Sequence, residues 1–290
     1  MIWFERMNKA IDYIEDNLCN DIDFNNIAKI VCQSPANFQR TFSIVTDISV
    51  FEYIRRRKLT LAAFDMQNST AKVIDIALKY GYESPESFTR AFKETHGVSP
   101  TGARKQGLPL KAYPRIAFLL SIKGDAVMEY RIENKEAFLV YGIEGIFNME
   151  NDQHLKDLPA FWRECWQDGR CEQLLKSTND PSSGVHAVCS YRETGGSTFP
   201  YAIFTHHTEG CNTEGFTQIE IPAATWAIFK SEKHAIEQTT GVVQSLIKRV
   251  YTDWLPTAAY NHLDGYGLEM YLDAGDGMFY FEFWIRVEKV

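Results

Sequence analysis

Two carboxylates near the C-terminus carry the most pointed chemistry in this chain. In GLEMY, Glu269 and Tyr271 fall on one face of a strand by alternation, opposite Leu268, Met270 and Leu272. In YFEFW, Tyr280, Glu282 and Trp284 share a face opposite Phe281 and Phe283. A hairpin closed symmetrically through DAGDG sets Tyr271 across from Tyr280 and Glu269 across from Glu282. Two facing carboxylates repel. Among Tyr and Trp rings they are relieved by a bound cation or by sharing a proton. Solvated acids on an edge hairpin, or the general acid and base of an enzyme, are the other readings of the same residues.

A second constellation lies at the front. SPANFQRTF (34–42) is nearly repeated fifty positions on as SPESFTRAF (84–92). In each, Ser caps a helix and Pro takes its first position, where a missing N–H costs nothing. Phe38 and Phe42, like Phe88 and Phe92, face inward at i,i+4 spacing. The outward residues are Ala36, Gln39, Arg40 and Ser43 in the first copy and Glu86, Thr89, Arg90 and Lys93 in the second. Arg and Gln bind guanine and adenine edges bidentately, so Arg40, Gln39 and Arg90 are candidates for base or phosphate contact. Glu86 accepts from a cytosine amino group or simply stabilises a helix N-terminus.

The supporting elements follow the same plan twice. Met7, Ile11, Ile14 and Leu18 form one helical stripe, and Asp23 caps a short helix carrying Ile27, Ala28 and Val31. Ile74, Ile76, Ala77 and Tyr80 mark the matching short helix, closed by Gly81 in a left-handed turn. Between the copies, Val50 to Met66 reads as one helix bearing Arg55, Arg56, Arg57 and Lys58, a solvated face or a sequence-blind phosphate contact. A short helix, a turn and a second helix with a polar outer face is a helix-turn-helix.

IALKYGYESPESFTRAFKETHGVSP (76–100) and YIRRRKLTLA (53–62) resemble the second motif and the linker helix of AraC/XylS-type transcription regulators. The resemblance covers about the first 105 residues. It implies two helix-turn-helix units held apart on a linker helix, each placing one recognition helix in the major groove; of the basic run on the linker helix, Arg56 is the candidate for DNA contact. Asp47 stands where that family usually has Gly, and Ala103 where it usually has Tyr.

Gly107, Pro109 and Pro114 break the helical pattern, and strands follow: 136–145, 185–192, 199–206, 224–231, 266–273 and 278–287. Helices interrupt them at 155–167 and 240–255. The order strand, helix, two strands, repeated, predicts two similar α+β halves with a cleft between them. FPYAIFTHH, EIPAATWAIFKS, YGLEMYLD and YFEFWIRV are similar to the gyrase-inhibitor-like, or bacterial effector-binding, domain. That resemblance implies a site for lipophilic, often cationic, compounds. Glu269 and Glu282 take its acidic positions, and Tyr271, Tyr280, Trp284, Trp226 and Trp162 its walls. It also leaves open a small-molecule hydrolase using a cleft glutamate, or a protein-interaction module.

His206, His207 and Cys211, like His186 and Cys189, do not complete a four-ligand zinc pattern, and no phosphate loop or nucleophile elbow is present. No metal and no cofactor are expected. Six cysteines at irregular spacings read as reduced thiols of a cytoplasmic protein, and the opening residues lack a signal-peptide core. Residues 1–115 hold 16 Lys+Arg against 13 Asp+Glu, a charge of +3, while the rest hold 14 against 25, a charge of −11. Such asymmetry fits two domains meeting different partners.

The expected fold is multidomain. An all-α double helix-turn-helix DNA-binding domain (1–105) precedes a linker and first strand (106–126). An α+β duplicated strand-helix-strand-strand effector-binding domain (127–290) follows. The expected function is that of a one-component transcription regulator rather than an enzyme. Its partners would be double-stranded DNA, a small organic effector and RNA polymerase. It would not bind a membrane, and it would act as a monomer or weak dimer, because one chain carries both reading helices.

Overall fold

The computed structural model describes residues 3–105, 107–119, 127–150 and 153–290. The front is helical: α1 (Trp3–Asp16), α2 (Phe24–Val31), α3 (Pro35–Thr46), α4 (Val50–Asn68), α5 (Val73–Lys79) and α6 (Pro85–His96). The caps at Asp23, Ser34 and Ser84 are those the sequence predicts, and Ser49 is a further one. Asp23, Ser34, Ser49 and Ser84 each accept a hydrogen bond from a backbone N–H in the first turn of the helix they precede. Gly81 is left-handed, with φ 78°. Asp47 closes α3 at φ 60°, where Gly97 closes α6 at φ 79°. Asp occupies that region at some steric cost, and its carboxylate is bound by Lys248.

Each helix-turn-helix unit has its own core. Phe38 and Phe42 pack with Met7, Ile11, Ile14, Ile27 and Val31, while Phe88 and Phe92 pack with Ile76, Ala77 and Tyr80. Helix α4 joins them by contributing Val50 and Tyr53 to the first core and Leu59, Ala62, Ala63 and Met66 to the second. At 1.5 Å per residue its 19 residues run about 28 Å, which sets the spacing of the units. The segment after α6 runs back along this half. Phe118 enters the first core, exchanging two backbone hydrogen bonds with the Asn8 side chain.

The back half is one antiparallel sheet with helices on one face. In chain order it comprises β1 (Glu129–Lys135), β2 (Phe138–Asn148), α7 (Gln153–Gln167), α8 (Arg170–Ser177), β3 (His186–Cys189), β4 (Thr198–His206), β5 (Thr217–Ile221), β6 (Ala224–Lys230), β7 (His234–Ala235), α9 (Thr239–Arg249), β8 (Tyr260–His262), β9 (Gly267–Gly275) and β10 (Met278–Lys289). A π-helical turn, Val250–Trp254, extends α9. The strand order β1-β6-β10-β9-β3-β4-β2-β5 places two four-strand halves side by side. They meet at one seam, where β3 pairs β9 and Ala187 lies opposite Glu269.

The duplicated plan is as predicted, with five short elements added, among them the two- and three-residue strands β7 and β8. The sequence reading omits β1, α8 and β5, each short or weakly patterned: β1 (EYRIENK) is mostly exposed and charged, and β5 has only five residues. The expected first strand near 106–126 falls partly outside the described residues. No helix among the described residues is long and apolar enough to cross a membrane.

Candidate functional site

The hairpin register is the first correction. Past the turn, Glu269 lies opposite Phe283, Tyr271 opposite Phe281, Tyr280 opposite Leu272 and Glu282 opposite Met270. The symmetrical pairing of Glu269 with Glu282 does not form. A bulge lies next to the turn: Met278 pairs Gly275 but Phe279 pairs Asp273, so Ala274 is the extra residue. One extra residue shifts the partner strand by one place and so flips its faces. Cross-strand partners share a face, so Glu269 and Tyr271 point to the helix side with Phe281 and Phe283. Glu282, Tyr280 and Trp284 point to the other. There is no carboxylate pair, and the predicted effector set divides between the two faces.

On the far face Glu282, Tyr280 and Trp284 each already hold a cation from their own sheet. Arg131 of β1 binds Glu282 through both guanidinium ends at 2.7 and 3.1 Å, and the Trp284 indole N–H donates to Glu282 at 2.9 Å. Lys230 sits 4.3 Å from the Tyr280 ring centre and Lys135 5.0 Å from that of Trp284. Lys135, Phe138, His206 and Trp284 line an open hollow here. Trp226 does not line it: it is fully buried and packs edge-on to Trp284 in the core.

The helix face holds the more unusual arrangement. Glu269 stands at the seam with 6% of its surface exposed. Its Oε2 accepts from Tyr201 Oη at 3.0 Å and Tyr271 Oη at 3.1 Å, and Trp162 of α7 donates to Tyr201 Oη at 2.9 Å. Burial, and then the carboxylate beside them, raises both phenols well above the ordinary tyrosine range, so they remain donors. The remaining oxygen, Oε1, accepts from Arg40 Nη2 at 3.0 Å. Arg40 Nη1 lies 2.8 Å from Cys189 Sγ on the neighbouring strand. Gly267 makes room: a Cβ there would stand 2.9 Å from Cys189 Sγ and 3.7 Å from Arg40 Nη1. Tyr201 and Cys189 were absent from the sequence-derived site. The alternation of FPYAIF puts Tyr201 on the inner face but does not say which strand it faces.

Arg40 arrives from the helical half, which is the second correction. The outward face of α3 is not open: Ala36, Gln39, Arg40 and Ser43 are all buried. Helix α3 lies across the seam, with Ala36 in the cluster of β2, β4, α7 and α8 and Ile44 and Val45 against the cluster of α9 and β10. Asp264 accepts from Ser34 N at 2.8 Å and from the Asn37 amide, Gln39 donates to Ser197 Oγ at 3.2 Å, and Lys248 pairs with Asp47. A pattern of outward residues cannot show that a second domain covers them.

The second helix is different. Glu86, Arg90 and Lys93 of α6 are exposed, and Thr89 is half-buried. The basic run on α4 is largely neutralised within its own half. Arg55 and Arg56 both bind Glu52, Arg56 also lies over the Tyr113 ring, and Arg57 binds Glu15 at 2.8 Å. Among the described residues no group of three or more His, Cys, Asp or Glu is placed to hold a metal.

Two family models match separate stretches of the chain. Residues 131–287 match the family described as integron-associated effector binding protein, and residues 27–106 match the helix-turn-helix domain family. The HTH-type transcriptional activator AarP of Providencia stuartii is 37% identical over 95 residues, covering 33% of this chain and 70% of that one. The putative HTH-type transcriptional regulator YkgA of Escherichia coli K12 is 27% identical over 208 residues, covering 70% of this chain and 86% of that one. Among solved structures, SAV2435 bound to tetraphenylphosphonium aligns with a TM-score of 0.43 at 18% identity, over 56% of this chain and 94% of that one.

Proposed function

The chain belongs to the AraC-type helix-turn-helix transcription regulators and, over its C-terminal half, to the integron-associated effector binding proteins, and on that footing we propose that it senses a small lipophilic cation at Glu269. One observation carries the reading. Glu269 is a buried carboxylate ringed by Tyr201, Tyr271 and Trp162, and its counter-ion comes from another domain rather than from its own sheet. An uncompensated charge at that depth is costly, so the site requires a cation, and aromatic rings favour one that is large and weakly hydrated. Glu282 meets the same need with Arg131, a neighbour within the sheet, and has no need of a ligand.

In the same reading, α6 presents Glu86, Thr89, Arg90 and Lys93 to the major groove and α3 presents Ala36, Gln39, Arg40 and Ser43. Contact with RNA polymerase follows from the regulator role. The test is calorimetric titration of the full chain with tetraphenylphosphonium and with the neutral triphenylphosphine oxide. Binding of the cation alone, lost in Glu269→Gln and kept in Glu282→Gln, is the expected result. Equal binding of both compounds, or equal loss in both variants, refutes the site.

A further inference from the structure

Arg40 stands in two places at once in the reading above: on the outer face of a DNA-reading helix and on the effector carboxylate. One guanidinium cannot do both. Building on the cation-sensing reading, we propose that the docked α3 is an autoinhibited state in which Arg40 serves as the built-in occupant of the Glu269 site, and that an incoming cation displaces it and releases the first reading helix.

The geometry supports displacement over a permanent weld. Polar contacts run along the interface, Asp264 on Ser34 and Asn37, Ser197 on Gln39, Glu269 on Arg40, and Lys248 on Asp47, with Ala36, Ile44 and Val45 adding apolar contact near the two ends of the helix. The polar α3 groups are ones that water or nucleic acid satisfies equally well, so undocking strands none of them and exposes only the small apolar surface of Ala36, Ile44 and Val45. The fit is also incomplete. The Gln39 Oε1 atom is buried with no hydrogen-bond partner among the described residues. The anchors of the helix itself, Phe38 and Phe42, belong to the first helical core and not to the seam. Helix α3 therefore leaves as part of a folded unit. Glu269 is the one partner that cannot be left alone, because undocking strips its cation while Tyr201 and Tyr271 remain. A cation that replaces Arg40 removes that cost, and this difference between docked and released states is what a ligand needs to shift the equilibrium.

The second unit is outside the latch, since Arg90 and Lys93 on α6 are exposed with α3 docked. The uninduced chain then engages DNA through one reading helix and the induced chain through two. Affinity and the slope of affinity against salt both rise on induction, because more phosphates are neutralised. By linkage, DNA raises the affinity for the cation by the same factor.

The experiment uses the full chain and two duplexes, one from the region upstream of its own gene and one selected from a random pool. Fluorescence anisotropy across a salt series is recorded for wild type, Asp264→Ala, Asp264→Asn and Glu269→Gln, with and without tetraphenylphosphonium. The expected result is that the cation tightens wild-type binding about tenfold, within the usual range of coupling, and steepens its salt slope. Both Asp264 variants bind DNA tightly without the cation. Glu269→Gln does the same and ignores it.

Alkylation of Cys189 by iodoacetamide, mapped by mass spectrometry, gives an independent measurement, since Arg40 covers this thiol. Cys165 and Cys171, buried in the same domain, report that the domain stays folded. Cys189 labelling that rises about tenfold in Asp264→Ala, with Cys165 and Cys171 still protected, supports release. A cation that binds at Glu269 but leaves DNA affinity and salt slope unchanged overturns the inference and leaves sensing intact. Unchanged DNA affinity and unchanged Cys189 labelling in both Asp264 variants overturn it as well. Absence of cation binding to wild type and Asp264→Ala overturns sensing, and with it the cation as the releasing agent.

Discussion

Glu269 and Glu282 sit on the two strands of one hairpin and point to opposite faces of the sheet, each held by a different arginine. Arg40 reaches Glu269 from the helical half at 3.0 Å, and Arg131 reaches Glu282 from the adjacent edge strand at 2.7 Å. The same residue type therefore has two distinct settings, fixed by where its counter-ion originates.

Glu282 is expected to be structural. Glu282→Gln weakens the paired guanidinium contact but retains an acceptor for the Trp284 indole. Because Arg131 is partly exposed and solvent-screened, the loss is on the order of 1 kcal/mol. Chemical denaturation should show that small loss, with tetraphenylphosphonium affinity held within about twofold. A loss of cation affinity as large as that of Glu269→Gln would mean that both faces share one site.

Arg40 and Arg90 occupy matching positions in the sequence but should behave differently when removed. Arg90 is exposed, so Arg90→Ala should leave stability within about 0.5 kcal/mol and weaken specific DNA binding by about 1–3 kcal/mol. Arg40→Ala leaves Glu269 buried without its cation, which costs up to about 3 kcal/mol in a site where two phenols still donate. Thermal denaturation beside anisotropy separates the two. Equal stability for both variants would argue that α3 is not docked in solution.

The buried His186 should make the chain acid-sensitive. Its pKa is lowered from 6.5 to about 3, by burial and then by His206, and Tyr271 N–H donates to its Nδ1 at 3.2 Å. A base whose folded pKa lies below its unfolded value takes up a proton on unfolding. The contribution is complete above about pH 6.5 and is lost as pH falls toward 3, at about 1.4 kcal/mol per pH unit. His186→Asn, whose side-chain oxygen can accept the same hydrogen bond, should flatten the stability profile between pH 6.5 and 4. Parallel profiles for the two proteins would contradict the assignment.

Gly267 is predicted to be sensitive for reasons of space. Gly267→Ala sets a methyl 2.9 Å from Cys189 Sγ, an overpacking that should cost about 1–3 kcal/mol. Cys189→Ala in the same chain removes the obstructing sulfur and should restore most of the loss. A double-mutant cycle with no coupling would show that the strand moves aside instead.

Much of the helical half can be read from the chain, because its determinants are local. Ser34 and Ser84 as caps, Phe38 with Phe42 and Phe88 with Phe92 as anchors, and Gly81 as a left-handed stop all act within one or two turns. The duplicated strand plan is legible for a similar reason, since alternation gives each strand two faces. Residues such as Tyr201 and Cys189 escape because their role depends on which strand is adjacent, and β3 meets β9 across some 80 residues of chain.

Two outcomes were beyond the sequence. The first is a single bulged residue at Ala274, which decides whether Glu269 shares a sheet face with Glu282 or points to the opposite one. Side-chain alternation fixes the faces within each strand, but the registry between strands depends on the turn. The second is the docking of α3. The sequence determined that Gln39, Arg40 and Ser43 would share a polar face and that Glu269 would stand among aromatic residues. Only the tertiary structure placed that face over the seam, because burying a guanidinium requires a carboxylate at hydrogen-bond distance, and the carboxylate that meets Arg40 belongs to the other domain.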